Sequence, residues 1–200
     1  MEETNRLRIV RAAQELFYIR GYKSVTISGL ADKLGMSKKT IYQYFSGKEE
    51  IAAAVIEDTL SRIDAAIRLS EYESEQPLQA LRHALEQVKK QIAGLSPLFL
   101  EDVQKLLPGL WQRIEQFRAG KIGFIERLLQ RAQEAGLAKD ISPRLAMVIF
   151  LEATQALVKP DALARHGFPM TDVLDALVDI FCTGVMQPEG AETNAGFAGR

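Results

Sequence analysis

A single cysteine, Cys182, stands among the 200 residues, so no disulfide can close within the chain and no thiolate cage can hold a metal. Histidine is as scarce, with only His83 and His166, and these few separated ligands predict neither a metal nor a cofactor. No apolar run approaches the ~18 residues that a membrane span needs. Residues Met1 to Arg6 carry no apolar stretch of signal type, so the expectation is a cytoplasmic protein with no membrane partner. No Gly-rich phosphate loop and no nucleophile elbow are present, which argues against an enzyme. With only 14 Gly and 7 Pro, collagen-like and low-complexity readings fall away. What is present is 47% hydrophobic and 26% charged residues, enough to bury a sizeable core and stay dissolved.

The formal charge of −1 conceals an asymmetry. Residues 1–48 hold nine Lys/Arg against four acids, a net of +5, which leaves −6 on the other 152 residues. A basic segment joined to an acidic body suggests a head that binds a polyanion. All seven prolines lie from Pro77 onward, whereas four of the five tyrosines (Tyr18, Tyr22, Tyr42, Tyr44) precede residue 45. Two regions of different make-up are the simplest explanation.

Apolar spacing is helical almost throughout, without a convincing alternating strand, so the chain is expected to be all-α. The first helix is predicted from a cap at Thr4 to Arg20, stopped by Gly21. Thr26 can cap a short second helix ended by Gly35, and Ser37 a third over Lys38–Tyr44. A long fourth helix opens near Lys48, with Glu49 and Glu50 in its first turn as the macrodipole prefers. An acidic linker, Glu71–Gln76, precedes Pro77 and a fifth helix. Ser96–Pro97 begins a sixth, Pro108 separates it from a seventh, Ser142–Pro143 opens an eighth that Pro160 ends, and the last begins after Pro169. The organisation expected is a three-helix head over 1–48, a helical body over 49–186 and a disordered tail over 187–200.

Two short helices joined by a tight Gly-containing turn match the helix-turn-helix pattern, whose second helix enters the DNA major groove. Apolar Leu30, Ala31, Met36, Ile41 and Phe45 point inward, which leaves Lys38, Lys39, Thr40, Gln43 and Tyr44 outward on the second helix. Cations attract phosphates, and Gln and Thr can hydrogen-bond base edges. Helix N-termini near Thr26 and Lys48 offer N–H groups to phosphate.

The stretch Thr26–Ile51 resembles the DNA-binding domain of TetR-family transcriptional regulators. The resemblance rests on Ala31, Gly35, Met36, Ser37, Thr40, Ile41, Tyr42, Tyr44, Phe45, Lys48, Glu49 and Glu50. It implies that Lys38, Thr40, Gln43 and Tyr44 face bases and that Tyr42, Thr26 and Lys48 clamp phosphates. Lys39 stands where the family often has Gly, so an additional long cation points at the groove.

A recognition helix this short makes few base contacts, so a homodimer on a palindromic double-stranded operator is expected, with two recognition helices ~34 Å apart. Val173, Leu177, Ile180 and Phe181 of the last helix are the expected seam. In the eighth helix Met147–Leu151 is apolar nearly all round, so Glu152 and Gln155 are expected in a buried setting, either bonding across a subunit seam or, the preferred reading, lining a cavity. Trp111, Phe117, Phe150 and Glu152 are the candidate lining of a site for a small, largely apolar inducer. Tilting of the fourth helix would then couple that site to the head, giving a ligand-released repressor. The alternative is an architectural or partner-binding protein of the same fold that takes no inducer.

Overall fold

A computed structural model describes residues 2–73 and 76–187. Its elements are α1 (Glu2–Arg20), α2 (Ile27–Leu34), α3 (Lys38–Tyr42), α4 (Lys48–Glu73), α5 (Pro77–Ile92), α6 (Pro97–Leu106), α7 (Pro108–Glu134), α8 (Pro143–Leu157), α9 (Pro160–His166) and α10 (Met170–Val185). The protein is all-α; among the described residues the only β pairing is an isolated antiparallel bridge between Ala138 and Met186.

The local signals set most boundaries. Thr26 accepts from the Gly29 N–H at 3.1 Å, and Ser37 accepts from the Thr40 N–H at 3.0 Å. Gly35 closes α2 in the left-handed region at φ +61, where L side chains pay a steric cost. Four boundaries differ from the sequence expectation. Helix α1 begins at Glu2, ahead of Thr4. The regular part of α3 ends at Tyr42, and Tyr44 follows in a tighter turn whose N–H donates to the Ile41 carbonyl. Pro160 does end α8, but it also opens the short α9, because a proline costs nothing at a first helical position that lacks a partner for its N–H anyway. Of the expected acidic linker, Glu71–Glu73 continue α4. The expected tail lies outside the described residues except for Gln187, whose N–H donates to the Leu137 carbonyl at 2.9 Å.

Two apolar cores sit along α4. The first gathers Ile9, Ala13 and Phe17 of α1, Leu30 of α2, Ile41 of α3 and Ile51 to Ile56 of α4, and extends to Phe99 and Val103 of α6. The second joins Ile63 and Ile67 of α4 with α5, the C-terminal half of α7, α8 and α10. Because the first core includes α6, the three N-terminal helices pack on the rest of the chain through more than the α4 connection.

Candidate nucleic-acid interface and inner cavity

The helix α3 is pinned by one side chain, Ile41, which is fully buried with Phe45 and Leu30 beneath it. Lys38, Lys39 and Tyr42 of α3 and the following Gln43 are exposed around it. Thr40 is half-buried and its Oγ1 shares a 2.8 Å hydrogen bond with the Ser37 hydroxyl. Tyr44 departs from the expected outward set: its ring packs on the first core, and its Oη accepts from the Asn5 Nδ2 at 3.5 Å. Thr26 is exposed at the start of α2, with its hydroxyl engaged as the cap.

Lys48 also differs from the expected phosphate clamp. Its Nζ donates to the carbonyls of Tyr22 at 3.0 Å and Val25 at 2.9 Å, and lies 4.1 Å from the centre of the Tyr22 ring. Burial pulls the ammonium below its ordinary pKa, against the opposing field of Asp102. With two of three donors engaged internally, the side chain ties α4 to the turn between α1 and α2.

Between α4, α5, α6, α7, α8 and α10 lies a cavity of about 440 Å³, within the range of small-molecule sites. The sequence-predicted Trp111, Phe117 and Phe150 all line it, together with aliphatic residues such as Ile63 of α4 and Met147 of α8. Glu152 does not. It sits on the exposed flank of α8, one turn from Val148 and Ile149, whereas Gln155, one turn from Leu151, reaches the cavity. The apolar middle of α8 therefore buries Ala146 and Met147 yet exposes Ile149, at 61%.

Several polar groups, Thr59, Arg118 and Lys121, complete the lining with little sign in the sequence. Thr59, buried on α4, donates from Oγ1 to the Val55 carbonyl at 3.0 Å, and its hydroxyl lies 2.8 Å from that of Tyr18 on α1. Its place between Ile56 and Ile63 on the α4 stripe was the one available clue. Arg118 lies over the Trp111 ring at 5.3 Å. Lys121 lies over Phe117 at 5.2 Å and pairs with Asp64 of α4, and its hydrogen bond holds the Asp64 carboxyl below its ordinary pKa. These contacts place cationic and apolar groups together, a lining able to hold an amphipathic organic molecule.

The outer side of α8 and α10 carries an apolar stripe. Ile180 is 70% exposed, Val173 and Leu177 are half-buried, and Leu145 and Val148 continue the stripe on α8. Phe181, expected on this seam, instead meets Phe150 with ring centres 4.7 Å apart, on the inner side. Among the described residues no group of three His, Cys, Asp or Glu is gathered for a metal, and no helix is long and apolar enough to cross a membrane.

The family described as bacterial regulatory proteins, tetR family, matches residues 9–55. The transcriptional regulator TtgR of Pseudomonas putida is 32% identical over 89% of this chain and 87% of its own. The regulator YvaF of Bacillus subtilis is 25% identical over 92% of this chain and 97% of its own. A TetR-family regulator from Agrobacterium tumefaciens superposes with a TM-score of 0.76 at 15% identity, covering 94% of this chain and all of that one, a likeness of fold.

Proposed function

Since the chain belongs to the TetR family of DNA-binding transcriptional regulators, we propose that it is a repressor released from its operator by a small, largely apolar molecule. In this reading residues 1–48 bind DNA, 49–186 hold the ligand and the dimer seam, and two copies sit on a palindromic site. Lys38 and Lys39 supply phosphate attraction, Gln43 and Thr40 read base edges, and Tyr42 and Thr26 meet the backbone. The exposed stripe of Leu145, Val148, Val173, Leu177 and Ile180 supports pairing of two copies, since soluble monomers rarely expose contiguous apolar faces.

One observation carries the ligand reading: the 440 Å³ cavity is walled by α4, whose first residues pack into the same core as α3. A molecule favouring one arrangement of α4 shifts the population of head positions, and a coupling of about 1–3 kcal/mol alters operator affinity roughly 5- to 150-fold.

Selection of bound duplexes from random DNA tests the head, and heat protection by a panel of apolar compounds tests the cavity. The expected result is a palindromic consensus, together with a compound that raises the thermal midpoint and releases the selected duplex. Non-palindromic or sequence-indifferent binding, without any protecting compound, would favour an architectural role.

A further inference from the structure

The body of the chain is acidic, with a net of −6 over residues 49–200, yet its cavity is not. Seven charged side chains reach the lining, and five of them are cationic: Lys89, Lys105, Arg118, Lys121 and Lys159. The two acids are already taken by neighbours on their own helices, Glu101 by Lys105 on α6 and Asp161 by Arg165 on α9. The carboxylates that steady the inner cations stand outside the lining: Glu86 and Asp175 at Lys89, Glu115 at Arg118, and Asp64 at Lys121. These pairs therefore present their positive members to the cavity.

Arg118 is the cation best placed to hold a ligand. Its side chain is 29% exposed, against 65% for that of Lys105, and it lies over the Trp111 ring at 5.3 Å. Among the described residues its one hydrogen bond runs from Nη1 to Glu115 Oε1 at 2.7 Å, one turn back on the same helix. A guanidinium carries five N–H donors in a planar fork, so the Nε–Nη2 edge stays open to a second acceptor group. Lys89 and Lys121, by contrast, are point charges already bonded to carboxylates of other helices, Asp175 of α10 and Asp64 of α4. Beyond Arg118 the walls are aliphatic. Ile63 and Ile67 of α4, Ile125 of α7 and Met147 of α8 line the same cavity and belong to the second core.

We infer that the cavity takes a monocarboxylate with a hydrocarbon tail, its carboxylate gripped edge-on by Arg118 over Trp111 and its tail lying among Ile63, Ile67, Ile125 and Met147. The inference rests on the ligand reading of this cavity and names the chemistry of its occupant. A planar carboxylate matches the fork with two parallel bonds and a single charge, whereas a phosphate monoester would bring about two charges to one guanidinium. A quaternary ammonium could reach the Trp111 ring only by displacing the cation already on it.

Decanoate is the probe, compared with methyl decanoate and decyltrimethylammonium, which keep the tail and change the head. Trp111 is the chain's only tryptophan and lines the cavity, so its emission follows binding without a label. In the full chain decanoate should bind at least about tenfold more tightly than either comparison. Arg118→Met, which keeps an unbranched stem against the ring, should bring decanoate and its ester to within about threefold of each other. Arg118→Lys, a charge without the fork, should keep a smaller preference. Lys159→Met, at an exposed cation of the lining, should keep the full one. Equal binding of decanoate and its ester by the wild type overturns the inference and leaves the ligand reading standing. So does a full carboxylate preference in Arg118→Met, or its loss in Lys159→Met. Binding of none of the three compounds also overturns the inference, and the ligand reading falls with it only when the wider panel of apolar compounds fails to protect the chain from heat.

Discussion

The Nζ of Lys48 lies 3.0 Å from the carbonyl oxygen of Tyr22 and 4.1 Å from the centre of the same residue's ring. One cation thus meets both ends of a single residue, and through the Val25 carbonyl it also closes the turn that follows α1. Lys48→Met keeps the aliphatic stem but removes both carbonyl bonds. The expected cost is about 1–3 kcal/mol, read as a lower thermal midpoint, with the salt dependence of DNA binding unchanged. A salt slope reduced by about one would return the side chain to phosphate contact.

Lys38 at the start of α3 and Gln43 at its C-cap are both exposed but differ in what they can recognise. Gln43→Ala is expected to cost about 1–3 kcal/mol on the selected site and almost nothing on random DNA. Lys38→Ala should weaken both and flatten the salt dependence. Equal weakening of random DNA by the two variants would remove base reading from Gln43.

Ile180, at 70% exposed, is the most exposed residue of the apolar stripe, and a charge there would disrupt apolar pairing of two copies. Ile180→Asp is expected to leave the fold intact and yield monomers in sedimentation at micromolar concentration, with operator affinity falling in step. Glu152→Gln, on the outer flank of α8, should leave probe binding in the cavity unchanged. A change in that affinity would place Glu152 back among the ligand contacts.

Asp64 ties α4 to α7 through Lys121, and this bond holds its carboxyl below the ordinary value of 3.8. A depressed folded-state pKa means the stabilisation is present above the unfolded value and disappears as pH falls through the folded one. The thermal midpoint of the wild type should therefore fall below about pH 4 more steeply than that of Asp64→Asn. Parallel curves for the two proteins would show that the pair adds nothing measurable.

Burial pushes the Cys182 thiol up to about 11. The thiolate is the reactive form, so at pH near 8 an aromatic disulfide reagent should spare the folded chain and titrate one thiol after denaturation. Rapid native-state reaction would mean that α10 opens readily.

Much of the fold was legible because its determinants are local. Thr26, Gly35 and Ser37 fix the helix-turn-helix through hydrogen bonds spanning only a few residues, and the 3.6-residue periodicity of Leu30, Ile41 and Ile63 orients each helix. The exposed cations and Gln43 followed from the same phase. Tertiary structure decided what depends on contacts between distant residues. Glu152 and Gln155 share one apolar segment, and only the packing of α8 shows that the first faces outward and the second the cavity. Lys48 lies 26 residues from Tyr22, and Asp102 lies 79 from Lys23. No periodicity encodes such pairs, because they exist only once the helices have been brought together.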